Sequence, residues 1–391
     1  MANIEGAQSV QPKGQIDGVC SDRFATVRDA FAYNLASGQD IGASVAIFVD
    51  GELVVDLWGG YFDATYTRPW GRDTIAQGFS STKTVAALCA LLLADRGELD
   101  LDAPVAKYWP EFAAEGKGTI LVRQVLGHTA ALCGWDVPMT LRDLYDWEKS
   151  TSLLARQAPM WEPGVTSGYH AFTQGQLIGE VVRRVTGQRI GQFLAREIAG
   201  PLGVADDYYI GVPEEADSRV SLLVRGTADN QATGNRFHDL SLYNPKVTPE
   251  ITWTLEWRRA ELPAMGGHGN GRGLATLQSV LASGGANGVR VMSDKGRERV
   301  LEQQSEGPDL VIGVPCRWAM GFALEMGMLP GTPQGVRAGW WAGNGGSLAF
   351  IDLDARMAIG YVPNRWITGP FEQHRSGNLV RAAYQALAGA A

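Results

Sequence analysis

Phe79-Ser80-Ser81-Thr82-Lys83-Thr84-Val85-Ala86-Ala87-Leu88-Cys89-Ala90-Leu91-Leu92-Leu93-Ala94-Asp95-Arg96-Gly97 is the stretch on which the reading of this chain turns. From Thr84 to Arg96 it is mostly apolar and rich in helix formers, which predicts a helix over 81–96, and Gly97 stands where such a helix stops. If Ser80 opens the helix, Lys83 lies one turn on, on the same face, with its amine in reach of the hydroxyl. The first-turn N–H groups lack acceptors inside the helix and would point at whatever the serine attacks. The segment therefore offers a nucleophile, a base and part of an oxyanion site. The plain alternative makes Ser80 an N-cap and Lys83 a solvated first-turn residue. Of the seven lysines, only Lys83 follows a serine at this spacing.

Outward from the helix, residues 43–49 and 53–58 read as strands joined by Asp50-Gly51, a strong hairpin signal. A second pair, 347–352 and 357–362, turns at Asp354-Ala355-Arg356. Arg317 to Leu324 is a weaker strand, and Leu379 to Leu387 a terminal helix. Helical patterns cover 119–127, 141–154, 171–186, 189–198 and 273–283. The fold class expected is therefore α/β (α+β), with an antiparallel sheet built from both chain ends, flanked by helices, and a mostly helical region inserted. The boundaries expected are 1–75 with 285–391 for the sheet part and 76–284 for the helical part, the site lying between them. Stretches 212–235 and 304–316, rich in Gly, Pro, Asp and Asn, read as loops. The Gly-dense run 266–273 matches G-x-G-x-x-G in no frame and follows no predicted strand, which argues against a nucleotide loop.

Composition narrows the function classes. The 391 residues are 45% hydrophobic, enough for a large core, and 34 basic against 42 acidic residues give a net charge of −8. Such a surface does not suit nucleic acid or an anionic membrane as main partner. No apolar run reaches 18 residues, and Met1-Ala2-Asn3-Ile4-Glu5-Gly6 lacks the pattern of a signal peptide, so a cytoplasmic location is expected. The four cysteines are scattered without C-x-x-C and five histidines form no ligand-like pair, so no metal and no cofactor is expected. No G-x-S-x-G occurs; Gly42-Ala43-Ser44-Val45-Ala46 comes nearest but ends in alanine. His128 reads as a buried, hydrogen-bonded histidine in preference to a triad base.

With the helix-opening S-x-x-K and the terminal hairpins in place, the chain resembles the serine β-lactamase and penicillin-recognising superfamily over roughly 25–390, and within it the class C-like family VIII carboxylesterases. The resemblance implies a β-lactamase-like fold and rests on three places. The first is Ser80-Ser81-Thr82-Lys83. In the second, Trp161-Glu162-Pro163-Gly164-Val165-Thr166-Ser167-Gly168-Tyr169-His170, Tyr169 takes the place of a catalytic tyrosine after an aromatic-x-Pro-Gly turn. Ala171 stands where class C β-lactamases have asparagine, a departure usual in the esterase branch. The third is Trp340-Trp341-Ala342-Gly343-Asn344-Gly345-Gly346-Ser347. Here Trp341 falls where β-lactamases carry the lysine that holds the substrate carboxylate, and resembles the W-G-G variant of some family VIII esterases. The resemblance treats Leu126-Gly127-His128-Thr129 and 270–284 as structural signatures without chemistry.

The function implied is a serine carboxylic-ester hydrolase for small or short-chain acyl esters, working through an acyl-enzyme on Ser80. A lysine near its ordinary pKa of about 10.4 is protonated at neutral pH, so Lys83 must be depressed by burial to act, and bringing it to about 7 corresponds to roughly 4–5 kcal/mol. The other scheme keeps Lys83 charged and makes a Tyr169 phenolate the base. By analogy the oxyanion is held by the N–H groups of Ser80 and Asn344. Trp341 is expected as a pocket wall, with Trp340 packing behind it; Gly343, Trp135, Trp161 and Trp257 are further candidates for the substrate pocket. Replacing a lysine by Trp341 removes a cation, which an uncharged ester does not need. The same machinery would serve an acyltransferase to a bulky alcohol, or a β-lactamase, D-amino peptidase or amidase; a non-catalytic binding protein is the remaining alternative.

Overall fold

The computed structural model describes residues 14–226, 231–325, 329–366 and 374–389, so the first residues and 227–230 of the 212–235 stretch lie outside the described residues. Nine antiparallel strands form the main sheet: β1 (Ile16–Cys20), β2 (Gly42–Val49), β3 (Glu52–Gly60), β4 (Ser305–Pro308), β5 (Pro315–Trp318), β6 (Ala323–Leu324), β7 (Ala338–Ala342), β8 (Leu348–Asp352) and β9 (Met357–Pro363), in the spatial order β1-β3-β2-β9-β8-β7-β6-β5-β4. The two chain ends meet where β2 pairs with β9, from Met357 against Val49 to Pro363 against Ala43. The β2–β3 hairpin turns through Asp50 and Gly51 with φ of 51° and 79°, the paired left-handed geometry that Asp-Gly favours. Central strands β8 and β9 are buried along their whole length, whereas edge strands β1 and β4 expose alternate residues.

The expected loop at 304–316 is instead an edge hairpin, β4 with β5, paired from Pro315 against Pro308 to Trp318 against Ser305. Its Ser-Glu-Gly-Pro composition is poor in strand formers, but an edge strand needs only one paired side and there accepts proline. The single strand expected over 317–324 is two strands, β5 and β6, folded back so that Trp318 faces Ala323, with a turn at Gly321 whose φ is +83°. The helix expected over 141–154 breaks at Asp146, whose carboxylate caps a new helix by accepting the Lys149 N–H at 3.0 Å. Over 119–127 the regular helix shortens to Val122–Leu126.

Helix α1 (Ala25–Ala36) and the terminal helix α5 (His374–Ala388) pack together, and Arg23 donates to the Ala386 carbonyl at 2.9 Å. Helix α2 (Thr82–Asp95) is buried from Thr82 to Leu93, the signature of a helix apolar on every side and sunk in a core. Helix α3 (Thr173–Thr186) packs on it. Helix α4 (Gly271–Ser283) lies on the sheet so closely that a Cβ at Gly271 would stand 2.8 Å from the Val45 Cα. The Gly-dense run does contain a strand, Gly267–Gly269, paired with Ala76–Gln77 and Tyr208–Ile210. Its helix N-terminus is already used: the Gly273 N–H donates to Asn270 and the Gly271 N–H to Ser44, at 2.8 Å each. Among the described residues no helix is long and apolar enough to cross a membrane, and no cluster of three or more His, Cys, Asp or Glu could hold a metal ion.

Candidate active site

Ser80 does not begin α2 itself. It sits in a 3₁₀ turn, Phe79–Ser81, that leads into the helix, and Ser81 occupies the cap position. Phe79 has φ +45°, a left-handed conformation unusual for a bulky residue. Its ring is wedged edge-on against Trp366 at 5.1 Å and tilted against Trp257 at 6.5 Å, which holds the turn in place. The Ser81 hydroxyl does not cap the helix; it donates to the Gly78 carbonyl at 2.9 Å. Ser347 donates to the same carbonyl and lies 3.0 Å from Ser81 Oγ, so the turn after β7 is tied to the turn that carries Ser80.

Lys83 is fully buried, with Nζ 3.3 Å from Ser80 Oγ. Nζ also donates to the carbonyls of Ala171 at 2.7 Å and Ala264 at 3.0 Å. Burial alone drives its pKa well below the ordinary lysine range. A neutral amine has two N–H donors and one lone pair. With both donors on carbonyls, the lone pair is left for the Ser80 hydroxyl.

Tyr169 brings its hydroxyl to 2.8 Å from Ser80 Oγ, and that oxygen accepts the Trp341 indole N–H at 3.0 Å. Burial raises the Tyr169 pKa far above the tyrosine range, and the hydrogen bonds with Ser80 and Trp341 do not offset it. The chain reaches Tyr169 through a Pro163-Gly164 turn, Gly164 having φ +84° and donating to the Thr129 carbonyl at 2.8 Å. The phenol ring stacks on Trp318 at 5.8 Å and 9°, with His128 edge-on at 5.0 Å. His128 is buried and accepts the His170 N–H at 3.2 Å, and burial pushes its pKa well down. It is a neutral packing group, as the sequence led us to expect.

Sequence reasoning missed Asp309. This buried carboxylate accepts the backbone N–H groups of Tyr169 (3.0 Å), Val311 (2.9 Å) and Ile312 (3.0 Å) on one oxygen and the Trp318 indole N–H (3.1 Å) on the other. It thus fixes both the backbone of Tyr169 and the ring on which Tyr169 stacks. The one local signal is an aspartate followed by amides at the second and third positions, the signature of an Asx turn. Asp309→Asn keeps one accepting oxygen but sets an amide donor against the donor or donors on the other side, the Trp318 indole N–H or the three backbone N–H groups. We expect a loss of about 1.5–3 kcal/mol of stability, read as a lower melting temperature, and roughly a tenfold fall in kcat.

The oxyanion candidate Asn344 lies in the 343–347 turn, closed by the Gly343 N–H donating to the Ser347 carbonyl at 2.9 Å. From behind, Arg375 donates to the Gly345 carbonyl at 2.7 Å while its other nitrogen pairs with Asp40 at 2.6 Å in a fully buried ion pair. Gly346, at φ +86°, leaves no room for a side chain: a Cβ would meet Arg375 Nη2 at 1.9 Å. Gly343 is equally tight, 2.1 Å from the Gly78 carbonyl oxygen by the same measure. It acts as a spacer at the join of the two turns and, unlike its neighbours Ala342 and Asn344, does not line the cavity.

A cavity of about 320 Å³ opens over Ser80 and Tyr169. Trp341, Ala342, Asn344, Phe79, Phe172 and Trp366 form part of its wall. Three expected lining residues lie elsewhere. Trp135 is buried with its indole N–H on the Ser150 carbonyl, and Trp257 is buried with its N–H on Gln77. Trp161 is half-buried, donates to the Thr166 carbonyl and meets Phe237 edge-on at 5.2 Å. Each indole N–H finds its partner inside the protein, and that partner turns the ring away from the cavity. Trp340 is buried behind Trp341, as expected. A larger surface cavity, about 850 Å³, is lined by charged residues such as Arg299, Arg317 and Arg337 and contains none of Ser80, Lys83 and Tyr169.

The profile of the Beta-lactamase family matches residues 27–384. A crystal structure described as a family VIII carboxylesterase superposes with a TM-score of 0.89 at 41% identity, covering 95% of this chain and 100% of its own. A penicillin-binding protein homologue from Caulobacter crescentus superposes with a TM-score of 0.88 at 37% identity, with coverage of 95% and 100%. The esterase/beta-lactamase LipL of Mycobacterium tuberculosis is 32% identical over 376 residues, spanning 90% of this chain and 84% of its own.

Proposed function

The chain belongs to the beta-lactamase family, and from that premise we propose that it is a serine carboxylic-ester hydrolase acting through an acyl-enzyme on Ser80. The observation that carries the choice of ester is the uncharged wall. No Lys, Arg, Asp or Glu lines the cavity among the described residues, and Trp341 offers an N–H to Tyr169 with no cation beside it. A substrate carboxylate would be desolvated there without a partner, while an uncharged ester loses nothing. The names of LipL and of the family VIII carboxylesterase support the same reading. A volume of about 320 Å³ suits a small acyl ester.

In the cycle we propose, neutral Lys83 accepts the Ser80 proton as Oγ attacks the ester carbonyl, and the N–H groups of Ser80 and Asn344 hold the oxyanion. Collapse breaks the bond to the alcohol, which takes a proton from Tyr169; Lys83 ammonium restores that proton. Water then attacks the acyl-enzyme, gives up its proton through Tyr169 and Lys83, and the acid leaves as Ser80 recovers its hydrogen. Burial supports this assignment because it disfavours both a lysine cation and a tyrosine phenolate, leaving a neutral pair at rest. We also propose that the sheet and helical parts keep the boundaries expected above, with a small-molecule ester as partner.

Stopped-flow mixing with a short-chain p-nitrophenyl ester tests the reading: a burst of p-nitrophenol near one equivalent is expected, and steady release with no ester giving a burst overturns the acyl-enzyme. The LipL name also contains beta-lactamase, so nitrocefin is the competing substrate. We expect nitrocefin kcat/KM to be far below that for the ester, and Trp341→Lys to raise it while lowering ester kcat about tenfold, the worth of one hydrogen bond to Tyr169.

A further inference from the structure

We propose that His238 and Asp239 form a second polar anchor in the same cavity, one that binds a hydroxyl group carried by the ester; the proposal rests on the ester-hydrolase reading. Apart from Ser80 and Tyr169, whose roles the cycle uses, most of the polar lining comes from residues 231–243. Among them, His238 has its orientation fixed by a neighbour outside the lining. Its Nδ1 lies 2.9 Å from Asp239 Oδ1. That carboxylate is itself pinned, accepting the Thr233 N–H at 2.9 Å and the Gly234 N–H at 3.0 Å. Beside the imidazole lies the Tyr243 ring, at 5.6 Å and 32°. The short helix Arg236–Leu242 that carries it is capped by Asn235, which accepts the Phe237 N–H at 2.9 Å.

The carboxylate takes the Nδ1 hydrogen, so Nε2 is the edge left for a ligand, and no described residue bonds to it. Neutral imidazole presents a lone pair at Nε2 and imidazolium presents an N–H. A hydroxyl both donates and accepts, so it serves either form, whereas a methyl group serves neither. Because Asp239 and the Thr233–Gly234 turn hold the ring in advance, little orientational freedom is lost on binding. The substrate class this points to is a short-chain ester bearing a hydroxyl on its acyl chain or on its alcohol.

Matched esters test it. Ethyl butyrate against ethyl β-hydroxybutyrate places the hydroxyl on the acyl side; propyl butyrate against glyceryl monobutyrate places it on the alcohol side. For the wild-type protein, kcat/KM should favour the hydroxylated member of at least one pair about tenfold. His238→Phe should bring that ratio close to one, and His238→Gln, which keeps a polar tip, should retain part of it. A wild-type ratio of one in both pairs, or a ratio that survives His238→Phe, overturns the proposal. So does a preference for monoethyl succinate over the hydroxylated esters that vanishes in His238→Phe, since His238 would then bind an anion. Calorimetric titration of Ser80→Ala protein with the same pairs separates this failure from failure of the hydrolase reading. Tighter binding of the hydroxylated ester, erased by adding His238→Phe, supports the anchor even if no ester turns over; equal binding of both members overturns it.

Discussion

Replacing Ser80 by alanine is expected to lower ester kcat by roughly 10⁴ to 10⁶-fold, the span found when one member of a concerted catalytic unit is removed. At 1.36 kcal/mol per decade that is about 5–8 kcal/mol of lost transition-state stabilisation. The size follows from the arrangement around Ser80 Oγ. Lys83 Nζ at 3.3 Å and Tyr169 oxygen at 2.8 Å both converge on this atom, so its loss disables the unit. The burst must vanish as well, because no other hydroxyl holds that position.

The same substitution should leave the fold nearly untouched. Ser80 is half-buried at the mouth of the cavity, and its turn is held by Ser81, Ser347 and the Phe79 ring. Removing one oxygen should shift the melting temperature by no more than about 2–4 °C, the range for about 1 kcal/mol in a large domain. Ester hydrolysis at the wild-type rate in well-folded Ser80→Ala protein would end the assignment of Ser80. A large drop in melting temperature would instead mean that the oxygen holds the turn together.

The parts of this molecule legible in its sequence are those where local chemistry and tertiary context agree. Helix α2 is apolar all round and stops at Gly97, and the β2–β3 turn is an Asp-Gly pair, so both could be read without knowing any neighbour. Ser80, Lys83 and Tyr169 meet because two such local signals, a helix start and a Pro-Gly turn, each deliver a side chain to one point. The edge hairpin was illegible because Ser305-Glu306-Gly307-Pro308 becomes a strand only through its partner β5. Asp309 and Trp318 were lost with it, since their positions depend on that pairing. Trp135, Trp161 and Trp257 failed for another reason. An indole's hydrophobicity says that it will be buried but not which way it faces, and in these three the N–H is held by an acceptor away from the cavity that the sequence does not reveal.

Lys83→Met is expected to lower kcat by roughly 10² to 10⁴-fold, the range for a positioned base, and its effect on stability should depend on pH in a way that tests the lysine's protonation. In the unfolded chain Lys83 titrates near pH 10.4. In the folded protein burial lowers its pKa well below that. Between the two values the unfolded state carries a proton that the folded state rejects, so wild-type stability falls as pH is lowered through this window. Below the folded pKa both states are charged and the loss is complete; above the unfolded pKa neither is charged and there is none. Methionine does not titrate. It also leaves the Ala171 and Ala264 carbonyls without their donor, but that cost is nearly the same at every pH. The difference in melting temperature, variant minus wild type, should therefore grow in the variant's favour as pH falls from about 10 toward neutrality. A difference that stays flat across that range would mean that Lys83 titrates alike in both states and remains charged in the site, which excludes it as the base. If it is the base, the pH at which the difference levels off must coincide with the acid limb of wild-type kcat/KM, because both report the same proton on the free enzyme.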